Sequence, residues 1–383
     1  MPADGPLSGL LVADFSRVLA GPFASMLLGD LGADVIKVER PDGGDDTRAW
    51  GPPWRDGEST YFLGLNRNKR SLALDLGDAR DRVLARTLAT RADVLIESFR
   101  PGLMASWGLD GDTLRAGANP GLVSCSVTAF GSAGATAREL PGYDFLLQAM
   151  GGLMAVTGEP DGRPLKVGSA VVDLVCGLLA ANGIQAALLE RERGGGGGRH
   201  VEVSLIDSAL VSLLNQGSAW VAGGVRPGRR GNRHPSIVPY ETYETADRPI
   251  AVATGNERLF ARLCDALGRP ELAADARFAS NAARVANVDA LAGELQATLR
   301  TRPAADWLAA LRAVKVPAGP INEVDEAFAL ADELGLEPTR AVDGVPLLTP
   351  PLRLDGERPP IRRRPPRLDE HGDDLRAWLA AIP

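Results

Sequence analysis

Short apolar runs alternate with helix-forming segments from residue 10 to residue 128, and this alternation restricts the fold more than any other feature. Residues 10–15 form an apolar run suited to a strand buried on both faces. A loop over 16–22 follows, with Pro22 placed for the first turn of a helix that Gly32 closes. Residues 34–39 then read as a second strand, 71–76 as a third, 78–90 as a helix, and 93–97 and 122–128 as two further strands. Strands separated by helices point to a mostly parallel sheet covered on both faces, an α/β fold.

Helical stretches over 143–150 and 171–193 precede another strand at 200–205. The five glycines at 194–198 lack the Gly-Lys-Ser/Thr that would follow in a phosphate loop, and they read as a flexible helix-to-strand turn. Composition shifts to Gly, Arg and Pro over 223–234. Beyond it, 240–254 reads as hairpin-like strands, and 256–267 and 288–300 as amphipathic helices. Residues 225–330 are therefore expected to form a second, smaller α+β domain. A Pro/Arg-rich extended strap at 358–367 leads to a last helix at 373–381. A chain of 383 residues can bury its core without disulfides or a structural metal.

Composition narrows the chemistry. With 49 Asp+Glu against 42 Lys+Arg the net charge is −7, which argues against nucleic acid as the main partner. Cys125, Cys176 and Cys264 stand too far apart for a zinc motif and read as free thiols in a reducing compartment. His200, His234 and His371 lie in unrelated contexts, none near a GxSxG-type serine. Catalysis, if present, then rests on carboxylates, arginines or backbone groups. Residues 170–189 are apolar enough to suggest a membrane span. They carry Asp173, Asn182 and Gln185, however, and read as a buried helix with no membrane partner. The start, Met1 to Gly5, lacks the basic residues of a signal peptide, so a cytoplasmic location is expected.

If the sheet is parallel, Arg17, Arg40, Asp75 and Ser98-Phe99-Arg100-Pro101-Gly102 all emerge at carboxyl ends of strands, where open α/β sheets bind ligands. Two arginines and a phenylalanine there suit a phosphorylated, aromatic-based ligand, although solvated loop charges around a core Phe99 would give the same pattern. The loop over 16–22 lacks GxGxxG, which disfavours a dinucleotide-dependent dehydrogenase. Asp173 is the most unusual residue, a carboxylate in an apolar run with no Lys, Arg or His within six positions. It reads either as a helix N-cap or as a partly desolvated nucleophile able to attack an activated acyl group. Small Cys176 and Gly177, one turn on, would leave room for a ligand.

These residues resemble a known family. Leu7-Ser8-Gly9-Leu10, Ala20-Gly21-Pro22, the run from Gly32-Ala33-Asp34 to Glu39-Arg40-Pro41, Asn68-Lys69-Arg70-Ser71, Asn119-Pro120, Gly142-Tyr143-Asp144 and the tail Asp369-Glu370-His371 are together similar to class III CoA-transferases. That family includes carnitine-type CoA-transferases and α-methylacyl-CoA racemases. The resemblance implies a Rossmann-like large domain built from both chain ends, 1–224 and 331–383, with the 225–330 domain between, and an interlocked homodimer of two threaded rings. It implies Asp173 as nucleophile, passing through an aspartyl anhydride and an aspartyl-CoA thioester, with acyl-CoA and a carboxylic acid as substrates and no permanently bound cofactor or metal. CoA-binding positions carry over onto Arg17, Val18, Arg40, Leu74, Asp75, Leu76, Gly77, Ser98, Phe99, Arg100, Gly142, Tyr143 and Asp144. Gly77 departs from a lysine seen in some members. The region Arg230-Gly231-Asn232-Arg233-His234-Pro235-Ser236 does not carry the glycine-rich loop of others. It resembles members acting on dicarboxylic acids, with Arg233 or His234 as the residue holding a distal carboxylate.

Two alternatives remain at this point. The racemases share the position of Asp173, and Glu257 falls where they have a glutamate. They use a histidine where this chain has Tyr143, and an ordinary phenol, ionising at about 10, is a poor base at neutral pH. A CoA-binding module without turnover is the second.

Overall fold

A computed structural model describes residues 5–194 and 196–381; residues 1–4 and Gly195 of the glycine run, on which two of the readings above partly fall, lie outside the described residues. The chain forms two compact units. The first takes the residues up to Leu153, Lys166–Val225 and everything from Glu337 onward, and the second takes Met154–Leu165 and Arg226–Leu336.

The first unit is built on six strands, β1 (Leu11–Phe15), β2 (Asp34–Glu39), β3 (Lys69–Ala73), β4 (Val94–Glu97), β5 (Val123–Thr128) and β6 (His200–Ser204). Their order is β3-β2-β1-β4-β5-β6, and every pairing is parallel. The order therefore reverses between β1 and β4, which opens a crevice at their carboxyl ends. The third strand starts two residues earlier than the hydropathy suggests. Lys69 and Arg70 disguise it, yet Lys69 is fully buried. Residues 74–77 instead make a turn closed by the Asp78 N–H on the Asp75 carbonyl.

Helices α1 (Ala20–Asp30), α2 (Thr60–Leu65), α3 (Ala79–Arg91), α4 (Asp144–Met150), α5 (Val171–Glu192) and α6 (Leu205–Ser212) follow in chain order, and α7 (Gly372–Ala380) ends the fold. One face of the sheet, with Val12, Val35, Ile96 and Val127, packs against Ala24 and Leu28 of α1 and the Val172, Cys176, Ala180 and Ile184 stripe of α5. The other face, with Phe15, Ile36, Leu72 and Leu95, is covered by Leu88 of α3 and Leu375 and Leu379 of α7. A Cβ on Gly177 would lie 2.6 Å from the Ala20 carbonyl oxygen. Cys176 and Gly177 thus let α5 lie close against α1 and leave no room for a ligand, contrary to the sequence expectation.

A buried ionic network lies under the carboxyl ends of β1 and β2. The Lys37 ammonium meets Asp45 at 2.8 Å and the Ser16 carbonyl at 2.9 Å. Lys69 meets Asp14 at 3.2 Å, the Pro22 carbonyl at 2.8 Å and Asn66 at 2.9 Å. Burial would push Asp45 up, but the Lys37 charge and the Thr47 donors outweigh it and hold it at about 2. Asp45 also accepts the Val18 N–H at 3.2 Å, which fixes Val18 in its left-handed conformation. These charges are what the Asn68-Lys69-Arg70-Ser71 and Lys37-Val38-Glu39 motifs supply.

The C-terminal strap runs along the outer edge of β3. Asn68 accepts from the Arg362 N–H at 2.7 Å and donates its own N–H to the Arg363 carbonyl. Asp369 accepts the Ala73 N–H at 2.7 Å. The edge that would otherwise offer free N–H and C=O groups is thereby covered.

In the second unit, β7 (Tyr240–Tyr243), β8 (Ile250–Ala253) and β9 (Ala318–Pro320) form an antiparallel sheet in the order β9-β8-β7. Phe260, Leu263, Leu291, Leu295, Trp307 and Leu311 from three helices make its core. Met154–Leu165 joins this unit through the Gly231 N–H on the Gly158 carbonyl and Arg229 on the carbonyls of Glu159 and Gly162.

Removing one charge from the buried network leaves its partner uncompensated. Lys37→Met is expected to lower unfolding stability by about 3–5 kcal/mol in urea titrations. The double variant Lys37→Met/Asp45→Asn should recover part of that loss; equal destabilisation by the two would contradict the pairing.

Candidate active site

Asp173 is the third residue of α5 and is 8% exposed. The helix has no side-chain cap of its own at Ala170. Asp144, the first residue of α4, supplies one from outside. It accepts the N–H groups of Val172 at 2.8 Å and Asp173 at 3.3 Å, and its second oxygen accepts from Gln148 at 2.7 Å. Gln148, fully buried, also accepts the Val167 N–H at 2.8 Å and so fixes the loop before α5. The capping that the sequence allowed for Asp173 is thus carried out by Asp144. A Cβ on Gly142 would come within 2.6 Å of the Ala129 Cβ, so only glycine lets the chain enter α4 here.

This arrangement raises the basicity of Asp173. Burial, and then the neighbouring Asp144 charge, push its carboxyl up to about 7. Tyr61 of α2 lies in the same field. Burial and the charges of Asp173, Asp144 and Asp45 push its phenol up to about 12, so its hydroxyl stays protonated as a donor.

Asp173 borders two cavities. The first, about 400 Å³, lies over the crevice between β1 and β4 and is walled by Arg17, Val18, Ser98, Phe99, Arg100, Gly142 and Tyr143. The first turn of α1, which also lacks a side-chain cap, opens into it through Leu19, Ala20 and Gly21. A smaller cavity of about 240 Å³ shares Arg17 and Phe99 with it and reaches Arg40, Leu74, Asp75, Leu76 and Gly77. The second cavity bordering Asp173, about 680 Å³, has Trp50, Tyr61, Tyr143, Asp144 and Lys166 in its wall.

The CoA-binding positions that the resemblance assigned in the first unit all line one of three cavities, two of which border Asp173. Their contacts differ. Arg17 and Arg40 both reach Asp46, at 3.6 and 2.8 Å, and Arg17 stacks over Phe99 at 5.4 Å. Asp75 accepts the Gly77 N–H at 2.8 Å and shapes its turn. Arg233 and His234 belong to the second unit. There Arg233 is bound to Glu241 at 2.9 Å and Asp289 at 2.6 Å, and His234 accepts the Ser236 N–H. Two carboxylates already engage Arg233, so a substrate carboxylate would compete with both. Glu257 of the same unit accepts the Asn281 N–H at 3.0 Å and lies 3.8 Å from Arg284.

The model of "CoA-transferase family III" matches residues 7–372. The chain belongs to CoA-transferase family III. Among relatives of this family III chain, a succinate–glutarate CoA-transferase from Agrobacterium fabrum is 42% identical, covering 98% of this chain and 96% of that protein. An acetyl-CoA:oxalate CoA-transferase from Acetobacter aceti is also 42% identical, with the same coverage. A crystal structure of a CAIB/BAIF family protein from Brucella suis is 43% identical over 99% of this chain and 100% of that one, with a TM-score of 0.87.

Among the cavity residues that sequence reasoning missed, four carry aromatic or charged side chains of note. Trp50 and Tyr61, in edge contact at 5.3 Å, come from a loop and a single-turn helix without periodicity. Trp107, against Phe99 at 5.6 Å, follows a four-residue helix. Lys166 stands seven residues before Asp173, just beyond the window searched for compensating charges.

Because the folded protein holds the Asp173 proton up to about pH 7 and an unfolded aspartate releases it near 3.8, this group's favourable contribution is full below 3.8 and is lost as pH rises through 7. Asp173→Asn is therefore expected to be more stable than the parent at pH 8 and to lose that advantage near pH 4. Thermal unfolding at the two pH values checks this; a gain independent of pH would contradict it.

Proposed function

We propose that this family III CoA-transferase moves CoA from a dicarboxylic acyl-CoA, succinyl-CoA foremost, to a second dicarboxylic acid, with Asp173 as the covalent carrier. The observation that carries the reading is a buried carboxyl of raised basicity bordering two cavities at once. The names of relatives acting on succinate, glutarate and oxalate support the substrate class.

In this reading CoA lies along the carboxyl ends of the strands. Arg17 and Arg40 hold phosphates, and Leu74 and Phe99 contact the adenine end. The acyl part lies beyond Asp173 among Trp50 and Tyr61. The Asp173 carboxylate attacks the thioester carbonyl; a C–O bond forms, the C–S bond breaks, and a mixed anhydride and CoA thiolate result. The thiolate attacks the Asp173 acyl carbon, releasing the donor carboxylate and leaving an aspartyl-CoA thioester. The acceptor carboxylate attacks that thioester to give a second anhydride and free thiolate. Attack of the thiolate on the acceptor acyl carbon yields the new acyl-CoA and restores Asp173. Free N–H groups in the first turn of α1 and the Tyr61 hydroxyl are the donors available to the tetrahedral oxyanions. No permanently bound cofactor enters these steps.

The racemase reading needs a second acid–base group at the α-carbon, and Tyr143 stands where that base would be. The same proposal includes a homodimer of interlocked chains. Its support is apolar surface left open on the first unit, including Leu178, Leu179 and Leu189 on α5, Leu210 on α6, and Leu214 and Trp220 after it. Light scattering is expected to give twice the chain mass; a monomer at micromolar concentration would contradict this part.

Incubation with succinyl-CoA, trapping with hydroxylamine or borohydride and peptide mapping should locate the modification on Asp173. Asp173→Ala should abolish the adduct and lower turnover by at least about 10³-fold while CoA still binds. Exchange of the α-proton with solvent without an adduct would establish the racemase instead, and neither signal would leave a binding module.

A further inference from the structure

The second cavity bordering Asp173 contains a cation to which no role has been assigned. Among the described residues in its wall, Lys166 is the only lysine or arginine, and the acids there are Asp144 and Asp173. Lys166 is exposed, and no carboxylate among the described residues lies within ion-pair distance of its ammonium. The ammonium instead donates to the carbonyls of Val167 and Gly168, each at 3.2 Å. An ammonium has three N–H donors, so one remains for another partner.

The position of this donor is fixed by the same parts that fix the nucleophile. The Val167 N–H is held by fully buried Gln148, which also binds Asp144, and Asp144 caps the helix that carries Asp173. Lys166 and Asp173 thus stand at the two ends of one short loop that is pinned between them. The cavity they share has Trp50, Tyr61 and Leu65 in its wall. These side chains offer apolar surface to the carbon chain of a substrate, between the Asp173 carboxyl and the Lys166 ammonium.

We infer that Lys166 is the specificity-determining residue for the distal carboxylate of a dicarboxylic substrate, a conclusion that rests on the transferase reading above. When one carboxyl of the substrate is joined to or approaches Asp173, the other lies in the second cavity and accepts the remaining Lys166 N–H. Donor and acceptor acids occupy this place in turn, because both pass through Asp173. Lys166 takes the role that the resemblance gave to Arg233 or His234; the Arg233 guanidinium is bound to Glu241 and Asp289, and His234 accepts the Ser236 N–H. A monocarboxylic substrate would leave the ammonium bound only to its two carbonyls.

Steady-state kinetics with succinyl-CoA as donor and glutarate as acceptor test this. In Lys166→Met the KM for glutarate should rise about 10–100-fold, the scale of one hydrogen bond to a charged group, with kcat changed much less. Lys166→Arg keeps the charge and should recover most of the affinity. A fall in kcat at unaltered KM, or an arginine variant as impaired as the methionine variant, would overturn the inference and give Lys166 a purely structural part in the loop. Trapping of the Asp173 adduct from succinyl-CoA in each variant separates the two levels. If the parent protein forms no adduct and transfers no CoA, the transferase reading itself has failed; if it does both and the variants behave alike, only the assignment of Lys166 has.

Discussion

The pairing of Lys37 with Asp45 beneath the carboxyl ends of the strands is the contact on which the site depends. It brings a loop that follows β2 back against the loop that follows β1, and both loops wall the cavities at the strand ends. The lysine binds the Ser16 carbonyl and the aspartate binds the Val18 N–H, so a single ion pair sets the backbone on either side of Arg17. Asp14 and Lys69 repeat the arrangement one strand along and hold the Pro22 carbonyl inside the first turn of α1. Buried pairs of this kind contribute little net stability, but they tolerate few alternatives. Their effect here is geometric: the start of α1 cannot turn away from the crevice without stranding a charge.

Asp173, the proposed nucleophile, is treated in the opposite way. Asp173 receives no cation among its described neighbours, and the charge beside it is another carboxylate. The fold thus pairs Asp14 and Asp45 with lysines and leaves Asp173, the proposed carrier, unpaired among the described residues. A carboxylate already costly to ionise is more basic and a better attacking group, and in the proposed mechanism acylation would relieve the repulsion from Asp144.

Much of this was legible in the sequence. The strand runs are apolar because both sheet faces are buried, and Asp173 stands out because its neighbours are apolar for the same reason. The loop residues after each strand were found because parallel strands deliver them to one edge. What was not legible came from charge pairing across distance. Lys69 hid the start of β3, because a buried lysine looks like a surface one until Asp14, 55 residues away, is placed beside it. Asp144 could be marked as part of a motif but not as the cap of a helix 28 residues later. Gly177 looked like space for a ligand and proved to be contact with α1, since a missing side chain has the same spelling in either case. Trp50 and Tyr61 carry no local pattern at all.

The covering of β3 has a consequence for how the chain is made. Asn68 waits 294 residues for the N–H of Arg362, and the Ala73 N–H waits 296 for Asp369. During synthesis the outermost strand of the sheet emerges early, while the segment that seals it arrives after the whole second unit has been produced. For that interval the nascent sheet has an open flank, and its completion is a late event of long sequence separation.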